Sequence, residues 1–286
     1  MGAERMSFMN EKEIMKIAQA VSNVVPHCCG VTLGGSRAYD LNDSHSDVEM
    51  YFYSMDSIPA IEDINGCLLS LGAEHRRSHE FLWNEYPWGP HSFFVIDDLY
   101  YEIGYRIVED IDRKIQAYLD GNVAPKKDCH DLGLGYVYSG LAASVCSERI
   151  LIYHNDGITK LKTKAATFPD ILKKSLLEEY MLTAKSLLDG KLESAATRDD
   201  IFFYDVLASR IIRSLIIMAF SISKVHFPGD KWNEELLLRT TWNKKIEFLN
   251  LLKIHCGISS AEKGALIKKR AILMQAYYLV EEGLCE

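Results

Sequence analysis

Residues 31–53 read VTLGGSRAYDLNDSHSDVEMYFY. Val31-Thr32-Leu33 is a short apolar run that stops at the pair Gly34-Gly35, followed at once by Ser36 and Arg37. Turn formers Asp40, Asn42, Asp43 and Ser44 come next, and Asp47-Val48-Glu49 then opens a second β-prone run, Met50 to Tyr53. Glycine has no Cβ, so backbone N–H groups at such a turn can approach an anion closely. A turn of this kind is a phosphate-sized nest, the more so if a helix starts just after it. Side chains two apart on a strand share a face, so Asp47 and Glu49 converge. Converging carboxylates repel unless a cation lies between them. Their hard oxygens suit Mg²⁺, which keeps waters and also binds substrate phosphates. A phosphate nest beside such a pair equips a chain for metal-assisted phosphoryl or nucleotidyl transfer.

This pattern resembles the signature of the nucleotidyltransferase superfamily that includes DNA polymerase beta: Gly-Gly-Ser, a spacer of about ten residues, then Asp-x-Asp or Asp-x-Glu. In its longer form it is similar to the bacterial branch that modifies aminoglycoside and lincosamide antibiotics. Many members have aspartate at both metal positions, whereas this chain has Glu49 at the second. The resemblance implies an α+β fold: an N-terminal mixed sheet flanked by helices, then a C-terminal helical bundle that closes the cleft and contacts the acceptor. It implies Mg²⁺ as cofactor, with Asp47 and Glu49 as ligands. The co-substrate is ATP or another nucleoside triphosphate, and the acceptor is a small hydroxyl-bearing molecule, with antibiotics as the model class.

The resemblance also places a third acid on a later strand, in a hydrophobic–acid–hydrophobic setting. Glu102, in Tyr100-Tyr101-Glu102-Ile103-Gly104-Tyr105, has that setting. It is either a ligand of a second metal ion or the base that takes the acceptor's proton, against the plainer alternative of an exposed edge residue. Ser36 offers a hydroxyl and an N–H to a phosphate oxygen. Arg37 either clamps a phosphate or pairs with Asp43 or Asp47. Some antibiotic-modifying relatives carry a lysine in the helical domain that meets the triphosphate. Lys231, after Pro228-Gly229, is the candidate, with Lys160 and Lys162 as weaker ones. The loop Phe81 to Pro90 holds Trp83, Glu85, Tyr86 and Trp88, which either stack on a ring of the acceptor or pack on their own domain. Glu85 is a reserve base. His75 and His79 lack the order of a zinc helix.

Outward from this stretch, 286 residues suggest one large or two modest domains. A net charge of −8 implies no basic face and argues against a nucleic-acid partner. The seven cysteines form no C-x-x-C pair, which suits free thiols in a reducing cytoplasm. The N-terminal segment is charged and lacks the apolar centre of a secretory signal, and the richest apolar run, Ile211 to Phe220, is interrupted by Arg213, so no membrane span is expected. A monomer and a homodimer are equally compatible with the sequence.

The spacing predicts a first helix over 11–25 capped by Asn10, with Ile14, Ile17, Ala18 and Val21 on one stripe. It predicts strands at 30–33, 48–53, 74–79, 92–96 and 99–107, and helices at 58–71 and 109–119. A polar linker at 122–128 divides a catalytic domain, 1–125, from a helical domain, 126–286. In the latter, helices are expected at 132–144, 157–166, 170–189, 195–225, 231–254 and 260–282. The chemistry expected is transfer of AMP, or another nucleoside monophosphate, to a hydroxyl with release of pyrophosphate. The alternatives from other classes are a nucleotide-binding regulatory or toxin-neutralising module with little turnover, and a protein adenylyltransferase.

Overall fold

The computed structural model describes residues 2–77, 89–124, 138–262 and 264–285. Its strands are β1 (Cys28–Leu33), β2 (Val48–Ser54), β3 (Glu74–Arg77), β4 (His91–Ile96), β5 (Leu99–Ile107) and β6 (Arg149–Tyr153). They form one mixed sheet in the order β3-β4-β5-β2-β1-β6. Only the central pair, β2 and β5, runs parallel; the other neighbours are antiparallel. The β4–β5 hairpin turns through Asp97 and Asp98, both left-handed at φ 50° and 62°. Short polar side chains tolerate that conformation best, which is why an Asp-Asp pair marks the turn.

The period-two alternation gives the sheet two unlike faces. One carries Val31, Leu33, Val48, Met50, Phe52, Phe94, Ile103 and Tyr105, all essentially inaccessible to solvent. Two helices cover it: α1 (Gly2–Ser22), through Ile14, Ile17, Ala18 and Val21, and α3 (Ile61–Ser70), through Ile64 and Leu68. Burying side chains of this size contributes roughly 1.5–3 kcal/mol apiece. The opposite face carries Thr32, Glu49, Tyr51, Tyr53, His91, Glu102, Gly104 and Arg106, set side by side by the register pairs Thr32↔Tyr51, Glu49↔Glu102, Tyr53↔Arg106 and His91↔Gly104. The one-turn helix α2 (Gly35–Ala38) follows β1 directly, α4 (Val108–Leu119) follows β5, and α5 (Ser139–Ser147) and α6 (Gly157–Ala165) flank β6.

Several expectations change. Asn10 is not a cap: good helix formers before it carry α1 back to Gly2. The five-residue strand Arg149–Tyr153 was hidden among helical segments and pairs with β1. As a result the chain does not divide once at 125/126. One compact unit holds residues 2–116 and 144–167, and the other holds 117–124, 138–143 and 168–285.

The second unit is helical. A continuous helix, α7, runs over residues 170–197 with π turns at Leu177–Met181 and Leu187–Lys191. Gly190, expected as a stop, lies inside it, because Leu188, Leu192, Ala195 and Ala196 keep burying one stripe on either side. The expected helix 195–225 instead starts afresh as α8 (Ile201–Ile222): Asp199 turns left-handed at φ 53°, and the Asp200 carboxylate accepts the Phe203 N–H at 3.2 Å. The expected helix 231–254 is also two, α9 (Asn233–Leu238) and α10 (Lys245–Gly257). Between them Trp242 is buried and its backbone N–H donates to Ser223 Oγ, which holds the chain out of helical geometry. The last helix is α11 (Ala265–Cys285). No helix among the described residues is long and apolar enough to cross a membrane.

Candidate active site

The glycine turn and Glu49 meet at the C-terminal end of β1. Gly34 N–H donates to the Glu49 carbonyl at 2.8 Å, so the turn is tied to the start of β2 through the backbone. Gly35 has φ +57°, and a Cβ there would lie 2.2 Å from Glu49 Oε1. A Cβ at Gly34 would lie 2.4 Å from the Tyr51 ring. Both positions therefore need glycine: the second for its dihedral and its contact, the first for contact alone. The Glu49 carboxylate rests directly on the turn.

Ser36 follows, 8% exposed, with its hydroxyl oxygen lacking a hydrogen-bond partner among the described residues. Buried polar atoms are nearly always paired, so this hydroxyl is an unsatisfied side-chain group of the turn among the described residues. The N–H groups of the first turn of α2 have no i−4 helical carbonyl to bond. Arg37 is tied to Asp47 through the backbone rather than through its carboxylate. Its Nε–H donates to the Asp47 backbone carbonyl at 3.2 Å, closing the loop 38–46 across its ends. Burial lowers the Arg37 pKa, against the nearby Asp47 charge that raises it.

Glu49 and Glu102 are register partners on the parallel strands β2 and β5, so their side chains leave the same face side by side. Each is backed by a ring. The Tyr51 hydroxyl donates to Glu49 Oε2 at 3.0 Å. Burial, and then the Glu49 charge, push the Tyr51 phenol well above its ordinary range, so it stays protonated as a donor. His91 Nδ1 lies 2.8 Å from the Gly89 carbonyl, which can only accept, so this nitrogen carries the proton. Its Nε2 faces Glu102 Oε1 at 3.6 Å, with the imidazole itself buried. Gly104 makes room for both rings: a Cβ there would sit 2.8 Å from Tyr51 Cδ1 and from His91 Nε2.

Behind Tyr51 lies a cluster that the sequence reading missed. The Arg106 guanidinium sits 3.5 Å from the centroid of the Tyr51 ring and pairs with Glu148 at 2.6 Å, both side chains being fully enclosed. Glu148 also accepts from Thr32 Oγ1, Tyr53 Oη and Ser144 Oγ, each at 2.7 Å. Burial alone would push the Glu148 carboxyl up, but Arg106 and these donors hold it below its ordinary value. A signal for Arg106 existed. It is a charged residue in the apolar strand Leu99–Ile107, two positions from Gly104 and four from Glu102, hence on their face.

Asp47, half-buried, precedes β2 by one residue and stands two before Glu49 along the chain. Among the described residues no three His, Cys, Asp or Glu side chains converge as a ready-made metal cage. The oxygen-only set Asp47, Glu49 and Glu102 is nonetheless of the type Mg²⁺ uses, since that ion commonly takes one or two carboxylates and completes its shell with water and phosphate.

The remaining candidates sit elsewhere. Lys231 is exposed in the helical unit, two residues ahead of α9. Lys160 pairs with Asp156 on the surface. Lys162 caps the C-terminal end of α5, donating to the carbonyls of Val145, Cys146 and Glu148, a structural use of its charge. Trp83, Glu85, Tyr86, Trp88 and His79 lie outside the described residues. Cys28, Cys29, Cys67, Cys146 and Cys256 are free thiols.

A family described as a domain of unknown function, DUF4037, matches residues 139–233. No curated protein matches the chain. Among solved structures, the chain is similar to a nucleotidyltransferase-like protein from Exiguobacterium sibiricum 255-15, at 12% identity and a TM-score of 0.39, over 91% of this chain and 69% of that one.

Proposed function

We infer that the chain is a metal-dependent nucleotidyltransferase. It moves a nucleoside monophosphate, AMP from MgATP foremost, to a hydroxyl of a small molecule and releases pyrophosphate. One observation carries this reading: Glu49 and Glu102 stand in register on adjacent parallel strands, with the Glu49 carboxylate resting on Gly35. An acid side chain thus borders the turn whose shape admits an anion, with a second in register beside it. The unsatisfied Ser36 hydroxyl supports the same reading, because a phosphate oxygen would complete it.

In this reading Asp47 and Glu49 hold Mg²⁺. The ion, when bound, neutralises charge on the triphosphate and on the departing pyrophosphate. The Gly34-Gly35-Ser36 turn holds the β- and γ-phosphates through the Ser36 O–H and first-turn N–H groups. Glu102 accepts the proton of the acceptor hydroxyl as its oxygen attacks the α-phosphorus, or serves a second ion. The bond from the α-phosphorus to the bridging oxygen breaks, and pyrophosphate leaves with the electron pair. His91, fixed by Gly89, packs behind Glu102. The outer nitrogens of Arg37 are the part of that side chain a phosphate would meet. Resemblance alone assigns Lys231 to the triphosphate, the helical part to the acceptor, and antibiotics to the acceptor class.

A second reading is a nucleotide-binding module with little turnover. The lack of a ready three-ligand cluster among the described residues favours it. Incubation with α-labelled ATP, Mg²⁺ and a panel of hydroxyl-bearing small molecules separates the readings. Label on a small acceptor with pyrophosphate release supports transfer. Metal-dependent binding without pyrophosphate supports the second reading. Label on protein points to a protein adenylyltransferase.

A further inference from the structure

We propose that His255 is an acid-sensitive latch of the helical unit: its neutral imidazole lets α10 pack against α8 and α11, and a proton on the ring releases that packing. His255 lies on α10 and is 3% exposed. Neither of its ring nitrogens has a hydrogen-bond partner among the described residues. The Tyr204 ring of α8 is stacked beside it, at a centroid distance of 6.3 Å and an interplanar angle of 19°. Tyr204 is fully buried, and its hydroxyl also lacks a partner among the described residues. Lys269 enters from α11, 6% exposed, with its ammonium 5.8 Å from the centre of the Tyr204 ring. None of these residues belongs to the candidate active site.

The charges around the ring offer an imidazolium little. Lys269 Nζ donates to Ser260 Oγ at 2.8 Å and lies 3.7 Å from Asp205 Oδ1, so the carboxylate of α8 is already engaged by an ammonium. Arg270, the next residue of α11, is turned to α7, where it donates to the Leu188 carbonyl and pairs with Glu193. On α9, Glu234 pairs with Lys253 of α10, and Glu235 and Arg239 are exposed. After α10, Glu262 is exposed too. A proton on His255 would therefore place a second cation in a buried cluster that already holds the Lys269 ammonium, and burying an uncompensated charge is costly. Burial first, and then the Lys269 charge, push the His255 pKa down to about 4, against Asp205, which raises it. When α10 lifts away, the ring meets water and titrates near its ordinary 6.5. The packed state then binds fewer protons than the open one, so packing is firmest above about pH 6.5 and weakens as pH falls toward 4.

The test is amide hydrogen exchange in the full chain, corrected for the intrinsic pH dependence of exchange, with the amides of α10 as the readout. In wild type the opening constant of α10 is expected to rise about tenfold between pH 7.5 and pH 5.5, as the open ring takes up a proton. His255→Phe keeps a flat ring beside Tyr204 without a titrating group, and is expected to remove that rise. A wild-type opening constant that does not change with pH, or an equal rise in His255→Phe, overturns the latch. If the variant does not fold, the His255 ring signals of wild type decide by nuclear magnetic resonance. A ring still neutral at pH 5.5 in the folded chain supports the proposal, and one that titrates near 6.5 there overturns it.

Discussion

At the residue scale, one glycine and one acid give the candidate site its sharpest tests. Gly35 is left-handed and in contact with Glu49, so Gly35→Ala meets a dihedral penalty and a steric one together. The dihedral part alone costs on the order of 1–3 kcal/mol. The expected outcome is a lowered melting temperature and loss of Mg²⁺-dependent transfer, read by thermal unfolding and by pyrophosphate release. Asp47 differs, because its hydrogen bond to Arg37 runs through the backbone carbonyl and does not depend on the side chain. Asp47→Ala should leave the unfolding curve nearly unchanged while transfer falls by about a hundredfold or more, as for loss of a charge aimed at a transition state. Normal turnover in that variant would remove Asp47 from the mechanism.

At the element scale, the polar face of the sheet is organised by an enclosed ion pair rather than by the acids at its end. Arg106 on β5 and Glu148 after α5 join three strands to the segment that leads into β6. Removing one partner leaves the other charge buried and uncompensated, at a cost of about 3–5 kcal/mol. Glu148→Gln should show this in urea unfolding at neutral pH. The acid side has a definite sign. The folded carboxyl is held below its ordinary value near 4.5, so the folded state binds fewer protons than the unfolded one. The stabilisation is complete above that pH and is lost as pH falls through the folded value. Wild-type stability should therefore drop more steeply below about pH 4.5 than that of Glu148→Gln. In α7, Gly190 has open space where a Cβ would go. Gly190→Ala should raise stability by about 0.4–1 kcal/mol, measured as a shift in denaturant midpoint.

At the scale of the whole molecule, the two compact units share the chain by interleaving: among the described residues, the sheet unit holds those up to 116 and then 144–167. Cutting after residue 125 would remove both β6, the antiparallel neighbour of β1, and Glu148, the partner of Arg106. An open β1 edge invites association between copies, and an orphaned buried guanidinium weakens the core. Residues 1–125 alone are expected to aggregate or lack a cooperative transition by circular dichroism. Residues 1–167 should recover one.

The sequence by itself determined what short periods and local turns can encode. The stripe on α1, the strands β1, β2, β4 and β5, the Asp97-Asp98 turn and the adjacency of the glycine pair to Glu49 all follow from spacing over a few residues. Asp47, Glu49 and Glu102 were candidates for the same reason, as acids at period-two positions among apolar neighbours. The tertiary structure decided what depends on partners distant in the chain. It put Glu49 and Glu102 in register across a 53-residue separation, brought β6 to the edge of β1, and enclosed Glu148 with Arg106. It also carried Gly190 through a helix that local propensity would have ended. Pairing across long loops is selected by which apolar and charged groups can be buried together. That choice is made by the whole packed chain, so no window of the sequence contains it.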